Sequence, residues 1–331
     1  MLAPLPLAVL ANLGRRHLSA RVAIIVAFAA AEAIVGSSGL TLVTASSTGY
    51  RIAGLALVLG AAASAAALLP DTRRLLTRRL PFDPSDPVAM TALAALPLLF
   101  ASWVYNETAV DLLALESSGP RLTLGELALT ELPMLAAAYL GVGLLIRRST
   151  GAATLRLGLS RPDLWQVGLA LGLAIIFYVV GLAGDRLEHL LDPTTAARVD
   201  QATGHYYSDL SGPLGLLAIA VLPAFCEETL FRGALQPRLG VVLAALGFAA
   251  LHPQYGLTAD AIVVLVLGLG LGLLRRFTQT TSAILAHAGY NAIAVLAPSP
   301  VWIGPAVATE AVLAAALLIA WQRRRRRPEA S

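Results

Sequence analysis

The chain contains no lysine and a single cysteine, Cys226, among its 331 residues, and only 13% of those residues are charged. Without lysine, a Schiff-base or lysine general-base mechanism is excluded. One cysteine excludes an internal disulfide and a thiolate metal cluster. The shortage of charge says most: an ordinary soluble domain carries roughly 25% charged residues, whereas here 57% of the residues are hydrophobic. The N-terminal stretch also lacks a hydrophobic core followed by a small-residue cleavage site, so a retained first helix is expected rather than a removable signal.

What is present is a series of apolar runs. A bilayer core requires about 20 consecutive apolar residues per helix, and ten candidates occur, at 22–40, 52–69, 87–105, 123–146, 164–184, 213–231, 239–252, 258–274, 281–297 and 301–321. Two of them, 239–252 and 258–274, are short. A β-barrel would show alternating segments of about ten residues; these runs are continuous and rich in Ala, Leu and Gly. The expectation is an all-α, polytopic transmembrane helix bundle of about eight to ten spans.

The net charge of +4 does not point to nucleic acid, because the arginines flank apolar runs. Arg15, Arg16 and Arg21 precede the first run, Arg73, Arg74, Arg78 and Arg79 follow the second, Arg147, Arg148, Arg156 and Arg161 follow the fourth, and Arg275 and Arg276 follow the eighth. The loops 105–121 and 185–212 are acidic instead. The positive-inside rule then puts both termini in the cytoplasm of a multi-pass cell-membrane protein, with the Arg323–Arg327 run as a stop-transfer anchor. The partner implied is the lipid bilayer. The segment "DRLEHLLD" is a candidate short amphipathic cap on the outer face. Three regions follow: 1–212 with N-terminal helices and loops, 213–297 with most of the polar residues that packing does not explain, and 298–331 with a last helix and basic tail. The first half is comparatively featureless.

In "FCEETLFRG" three ionisable residues, Glu227, Glu228 and Arg232, stand within a turn and a half of an apolar run. Each such residue at a helix centre costs ~2.5–3.5 kcal/mol on translocon scales and is by default functional. Residues four apart share a helix face, so Glu228 and Arg232 can form an ion pair. Glu227 points about 100° away and is the candidate proton acceptor. Two further pairs follow at the same spacing, Phe248 with His252 in "GFAALHPQ" and His287 with Asn291 in "AHAGYNA". The remaining histidines, His17, His189 and His205, lie in polar segments where a solvated imidazole needs no explanation.

A carboxylate can deprotonate a water with a histidine assisting, and a second histidine with an asparagine amide can donate to a developing oxyanion. That outfit suits amide hydrolysis. Glu227, His252 and His287 can equally be read as a zinc-type ligand set with one open position; sequence leaves the two open.

The ordered motifs EExxxR (Glu227, Glu228, Arg232), FxxxH (Phe248, His252) and HxxxN (His287, Asn291) resemble those of the CPBP family, the CAAX-protease and bacteriocin-processing membrane proteins also called Abi. The glycine-rich "LGLGLGLLRRFTQTTSAILAHAGYN" is similar to that family's helix before the final histidine. The resemblance implies an all-helical bundle with a polar cavity and an intramembrane endopeptidase acting on a membrane-associated peptide or protein. It further implies Glu227 as the water-activating base, Glu228 as a second acid paired with Arg232, His252 assisting the water, His287 and Asn291 at the oxyanion, and Phe248 packing beneath His252.

Other membrane proteases have weaker claims. "GSSG" at 36–39 fits a rhomboid-type GxSG string, but no suitable histidine helix follows, and Gly/Ser clusters commonly end helices. HExxH and GxGD are absent. Cys226 reads as a small buried hydrophobe. A non-catalytic or immunity-type scaffold and a proton-coupled transporter are the alternative classes. A transporter usually shows paired broken helices, and the charged motif has no second copy. Straight spans would leave Glu227 and His287 in the cytoplasmic half and His252 near the outer end of its helix, so a single site requires 239–252 to be tilted or re-entrant. The all-arginine, alanine-rich usage suggests a GC-rich bacterial genome.

Overall fold

The computed structural model describes residues 4–255, 258–296 and 300–325, and among these it is helical without a strand. The helices are α1 (Pro4–Leu13), α2 (Leu18–Val43), α3 (Thr48–Leu68), α4 (Pro70–Leu76), α5 (Pro87–Ala109), α6 (Leu112–Ser118), α7 (Leu124–Val142) and α8 (Thr150–Arg156). They continue with α9 (Leu164–Leu191), α10 (Pro193–Tyr206), α11 (Pro213–Glu228), a π-helical stretch Thr229–Leu235, α12 (Gln236–Ala249), α13 (Ala259–Phe277), α14 (Thr280–Leu296) and α15 (Pro300–Arg325). Local chemistry sets several ends. Asp86 caps α5 by accepting from the Val88 amide at 3.1 Å, with Pro87 in the first turn. Thr123 and Glu126 form a reciprocal capping box on α7, which stops at Gly143 with φ of 98°, a conformation that glycine adopts without cost.

Large apolar side chains face outward, Val26 at 61% and Leu59 at 67% exposure, as suits a surface solvated by lipid. The protein is a polytopic helical membrane protein. Among the described residues, five stretches are long and apolar enough to cross a membrane: α2, α3, α5, α9 and the joined Pro213–Ala249. The expected eight to ten spans are thus reduced by that measure. Helix α13 carries Asp260, Arg275 and Arg276 at its ends, α14 has only 17 residues, and α11 and α12 are joined. The side chains of Arg323–Arg327, read as an anchor, lie outside the described residues.

Between helices, small residues replace the missing hydrophobic drive. Helices α2 and α3 meet at Gly39 and Gly54, where a Cβ on Gly54 would lie 2.7 Å from the Gly39 carbonyl oxygen. "GSSG" therefore sits inside α2 and packs it; it does not end a helix. The "DRLEHLLD" segment is likewise not a separate cap: it is the last part of α9. At 1.5 Å per residue the 28 residues of α9 reach about 42 Å, beyond a hydrocarbon core of about 30 Å, so these polar turns project from it.

Candidate active site

Helix α11 enters the site with a built-in defect. Pro223 has no amide hydrogen to give the Ile219 carbonyl one turn earlier, and that carbonyl is the one faced by the Asn291 amide, at 3.5 Å. After Glu228 the helix widens into the π-helical stretch Thr229–Leu235, in which the Gln236 amide donates five residues back to Phe231. Such single π segments often mark functional sites. Gly240 then adopts φ 77° and ψ 173°, outside any helix. Only glycine takes this conformation without strain. Glu227 and His252 are 25 positions apart, which a straight helix would separate by about 37 Å. Their side chains instead approach to 3.9 Å, so the chain reverses between them. Helix α12 then runs antiparallel against α13: Phe248 meets Gly268, while Val241 and Gln236 meet Gly272.

The adjacent glutamates are thereby divided. Glu228 is fully buried and holds two partners: Arg232 Nε lies 3.1 Å from its Oε2, and His287 Nδ1 lies 3.1 Å from its Oε1. Arg232, also fully buried, donates from Nη2 to the Gly268 carbonyl at 3.1 Å and sets its guanidinium 4.5 Å from the Phe248 ring centre. Glu227 is 8% exposed, and its Oε2 has no hydrogen-bond partner. It faces His252 Nε2 at 3.9 Å. Because the Phe248 carbonyl can only accept, the 2.8 Å contact with His252 Nδ1 places a hydrogen on Nδ1. In a neutral ring that leaves the Nε2 lone pair turned toward Glu227.

Phe248 is the hub. Its ring centre lies 4.7 Å from that of His252, 5.8 Å from that of His287 and 5.6 Å from that of Phe231, the last two edge-on. His252 also stacks on Tyr255 at 6.4 Å. The structure thus brings Glu227, Glu228, Arg232, Phe248, His252 and His287 together. Asn291 is not joined to them by any described contact; it engages Ile219 instead. His287 turns Nδ1 to Glu228, which leaves Nε2 as the nitrogen that the zinc-type reading would use. Among the described residues the three potential ligands that gather within 4.8 Å of one another are Asp185, His189 and Asp200, a partly exposed surface group.

Two features were absent from the sequence reading. Glu131, in the half of the chain taken as featureless, is buried on α7 close enough for its charge to interact with Glu227, and its Oε2 has no hydrogen-bond partner. The rule that singled out Glu227, an ionisable side chain inside an apolar run, applies equally to it. Second, a polar cavity of about 550 Å³ opens beside the site and does not contain it. Asn106, Glu107, Asp111, Glu188, Arg198 and Pro253 are among its lining residues, with Pro253 adjacent to His252 and none of the motif residues included.

No curated protein and no solved structure shows a significant match to the chain. Residues 209–293, which hold every motif residue above, match the family model described as type II CAAX prenyl endopeptidase Rce1-like.

Proposed function

We propose, from the premise that the chain carries an Rce1-like type II CAAX prenyl endopeptidase domain, that it is an intramembrane endopeptidase in which Glu227 activates water. The observation that carries this reading is the 3.9 Å approach of an unpartnered Glu227 oxygen to His252 Nε2. Polar atoms at such a separation are suited to a shared water. A water there donates one hydrogen to the carboxylate and one to Nε2, leaving an oxygen lone pair for a peptide carbonyl. Glu227 takes the proton as the carbon–oxygen bond forms and returns it to the leaving amine.

His287 serves the oxyanion. Its Nδ1 hydrogen goes to Glu228, so Nε2 can donate only when the ring carries both protons; Glu228 supplies the counter-charge for that imidazolium. Arg232 holds Glu228 in place from the other side. Asn291 reaches the oxyanion by swinging its amide away from Ile219. The substrate is a membrane-associated peptide or protein, met within the bilayer, and both termini of the enzyme face the cytoplasm, as the arginine-rich loops imply.

The test is a comparison of membrane proteomes from cells expressing wild-type or Glu227→Gln protein at equal levels, scored for new peptide termini. Termini present only with wild type are expected. Identical terminus profiles would reject the protease reading, and a phenotype retained by the folded Glu227→Gln protein would favour a scaffold.

A further inference from the structure

A second concentration of charge, mostly half-buried, lies around Asp86, away from the motif residues. Asp86 caps α5 with Oδ1, while its Oδ2 takes Arg15 Nη2 at 2.6 Å and lies 3.8 Å from Arg238 Nε. Arg147, in the turn after α7, donates from Nε to Asn12 at 2.7 Å. Asn12 in turn ties α1 to the Leu140 carbonyl of α7 at 2.7 Å. Arg148 bonds the Val142 carbonyl, and Arg156 closes α8. These side chains sense one another: Arg15, Arg148 and Arg238 act on Arg147, and Arg15, Arg148 and Arg156 act on Arg238. The Arg147 guanidinium is pushed down to about 10, first by burial and then by the neighbouring arginines, with Asp86 opposing.

Two guanidiniums, of Arg15 and Arg238, thus approach the one carboxylate, and those of Arg147, Arg148 and Arg156 stand close enough to repel them. A topology signal needs arginines near span ends, but it does not need them drawn together from α8, α12 and the turns after α1 and α7. Arg238 is only 9% exposed and Arg147 Nη2 is buried without a hydrogen-bond partner. Like charges gathered in this way repel, and planar guanidinium forks suit the several oxygens of a phosphate group. We propose that this arginine cluster is a binding site for a phosphate-bearing anion, the chemistry shared by a phospholipid headgroup and free phosphate. The site is tied to the motif helices, because Arg238 also donates to the Ala234 carbonyl of the π-helical stretch at 2.7 Å.

The full-length protein, delipidated in neutral detergent, tests this in two arms. In one, nanodiscs of phosphatidylcholine with or without phosphatidylglycerol are followed by native mass spectrometry for retained lipid. In the other, inorganic phosphate is titrated against chloride at matched ionic strength, with the thermal midpoint as readout. Retained phosphatidylglycerol identifies a lipid source, and a phosphate-specific rise in midpoint a free one; either supports the site. Arg156→Gln, which removes no hydrogen bond to the described residues, should weaken binding about fivefold, as expected for ~1 kcal/mol per basic residue, while Arg156→Lys should keep most of it. Arg147→Gln should act in the same direction, and if it fails to fold through loss of Asn12, Arg156→Gln still decides. Wild-type protein that binds neither probe beyond the chloride control would overturn the proposal. So would an Arg156→Gln protein that binds as wild type.

Discussion

Replacing Arg232 with alanine is the perturbation whose cost the structure defines best. Arg232 is fully buried, as is the carboxylate beside it. The change removes the 3.1 Å ion pair, the bond to the Gly268 carbonyl and the guanidinium over Phe248. Stranding one member of a buried pair costs about 3–5 kcal/mol. The hydrogen bond and ring contact belong to the same side chain, so their values of ~1–3 and ~2 kcal/mol overlap with that figure and are not summed. One feature holds the total down: His287 at 3.1 Å remains as a second partner for Glu228 and can carry the compensating charge. A loss of about 3–5 kcal/mol is then a large part of a typical stability of 5–15 kcal/mol. The assay is equilibrium unfolding of purified protein in mild detergent, with the monodisperse fraction after extraction as a second measure. The double variant Arg232→Met/Glu228→Gln, which removes both charges, should recover most of the stability. An Arg232→Ala protein within 1 kcal/mol of wild type, or a double variant no better than the single, would refute the ion pair as the buried anchor of this site.

Glu227→Gln and His252→Ala should each lower cleavage by about 10²–10⁴-fold while leaving the unfolding midpoint near wild type; an unimpaired rate in either variant would remove that residue from the mechanism. Phe248→Ala should destabilise by about 3–5 kcal/mol, since it withdraws the ring shared by Arg232, His252 and His287, and denaturant titration will show whether that ring is the hub. Gly272→Ala should destabilise, because its Cβ would stand 2.8 Å from Val241 Cγ1, whereas Gly172→Ala meets nothing within 4 Å and should be neutral or gain up to ~1 kcal/mol of helix propensity; equal midpoints would refute the close α12–α13 contact. Glu131→Gln should fold at least as well as wild type, because it removes one of two buried carboxylates that repel, and a large fall in its thermal midpoint would contradict that picture.

Much of the architecture was legible because it depends on local chemistry. Each of the ten apolar runs corresponds to a helix, and the spacing of Glu228 and Arg232 placed them on one face, where the ion pair forms. Errors arose where tertiary context overrode a local cue. "GSSG" looked like a helix end, yet Gly39 is a packing surface for Gly54 inside α2. "DRLEHLLD" looked like a separate cap and proved continuous with α9. Glu131 is harder to recognise because it has no charged partner three or four residues away on its own helix, Glu126 being five residues distant; its neighbour Glu227 lies on another helix.

By itself the amino-acid sequence determined that this chain lives in lipid, that it is helical, and that three helices carry charges the bilayer would not tolerate without reason. Those properties follow from composition and from the 3.6-residue period, which act over one or two turns. Only the tertiary structure decided which charge meets which: Glu227 with His252, and Glu228 with both Arg232 and His287. That choice depends on a widened π turn, a glycine at φ 77° and the reversal of α12, because a change of backbone direction at one point sets the position of every side chain beyond it, and no local periodicity records it.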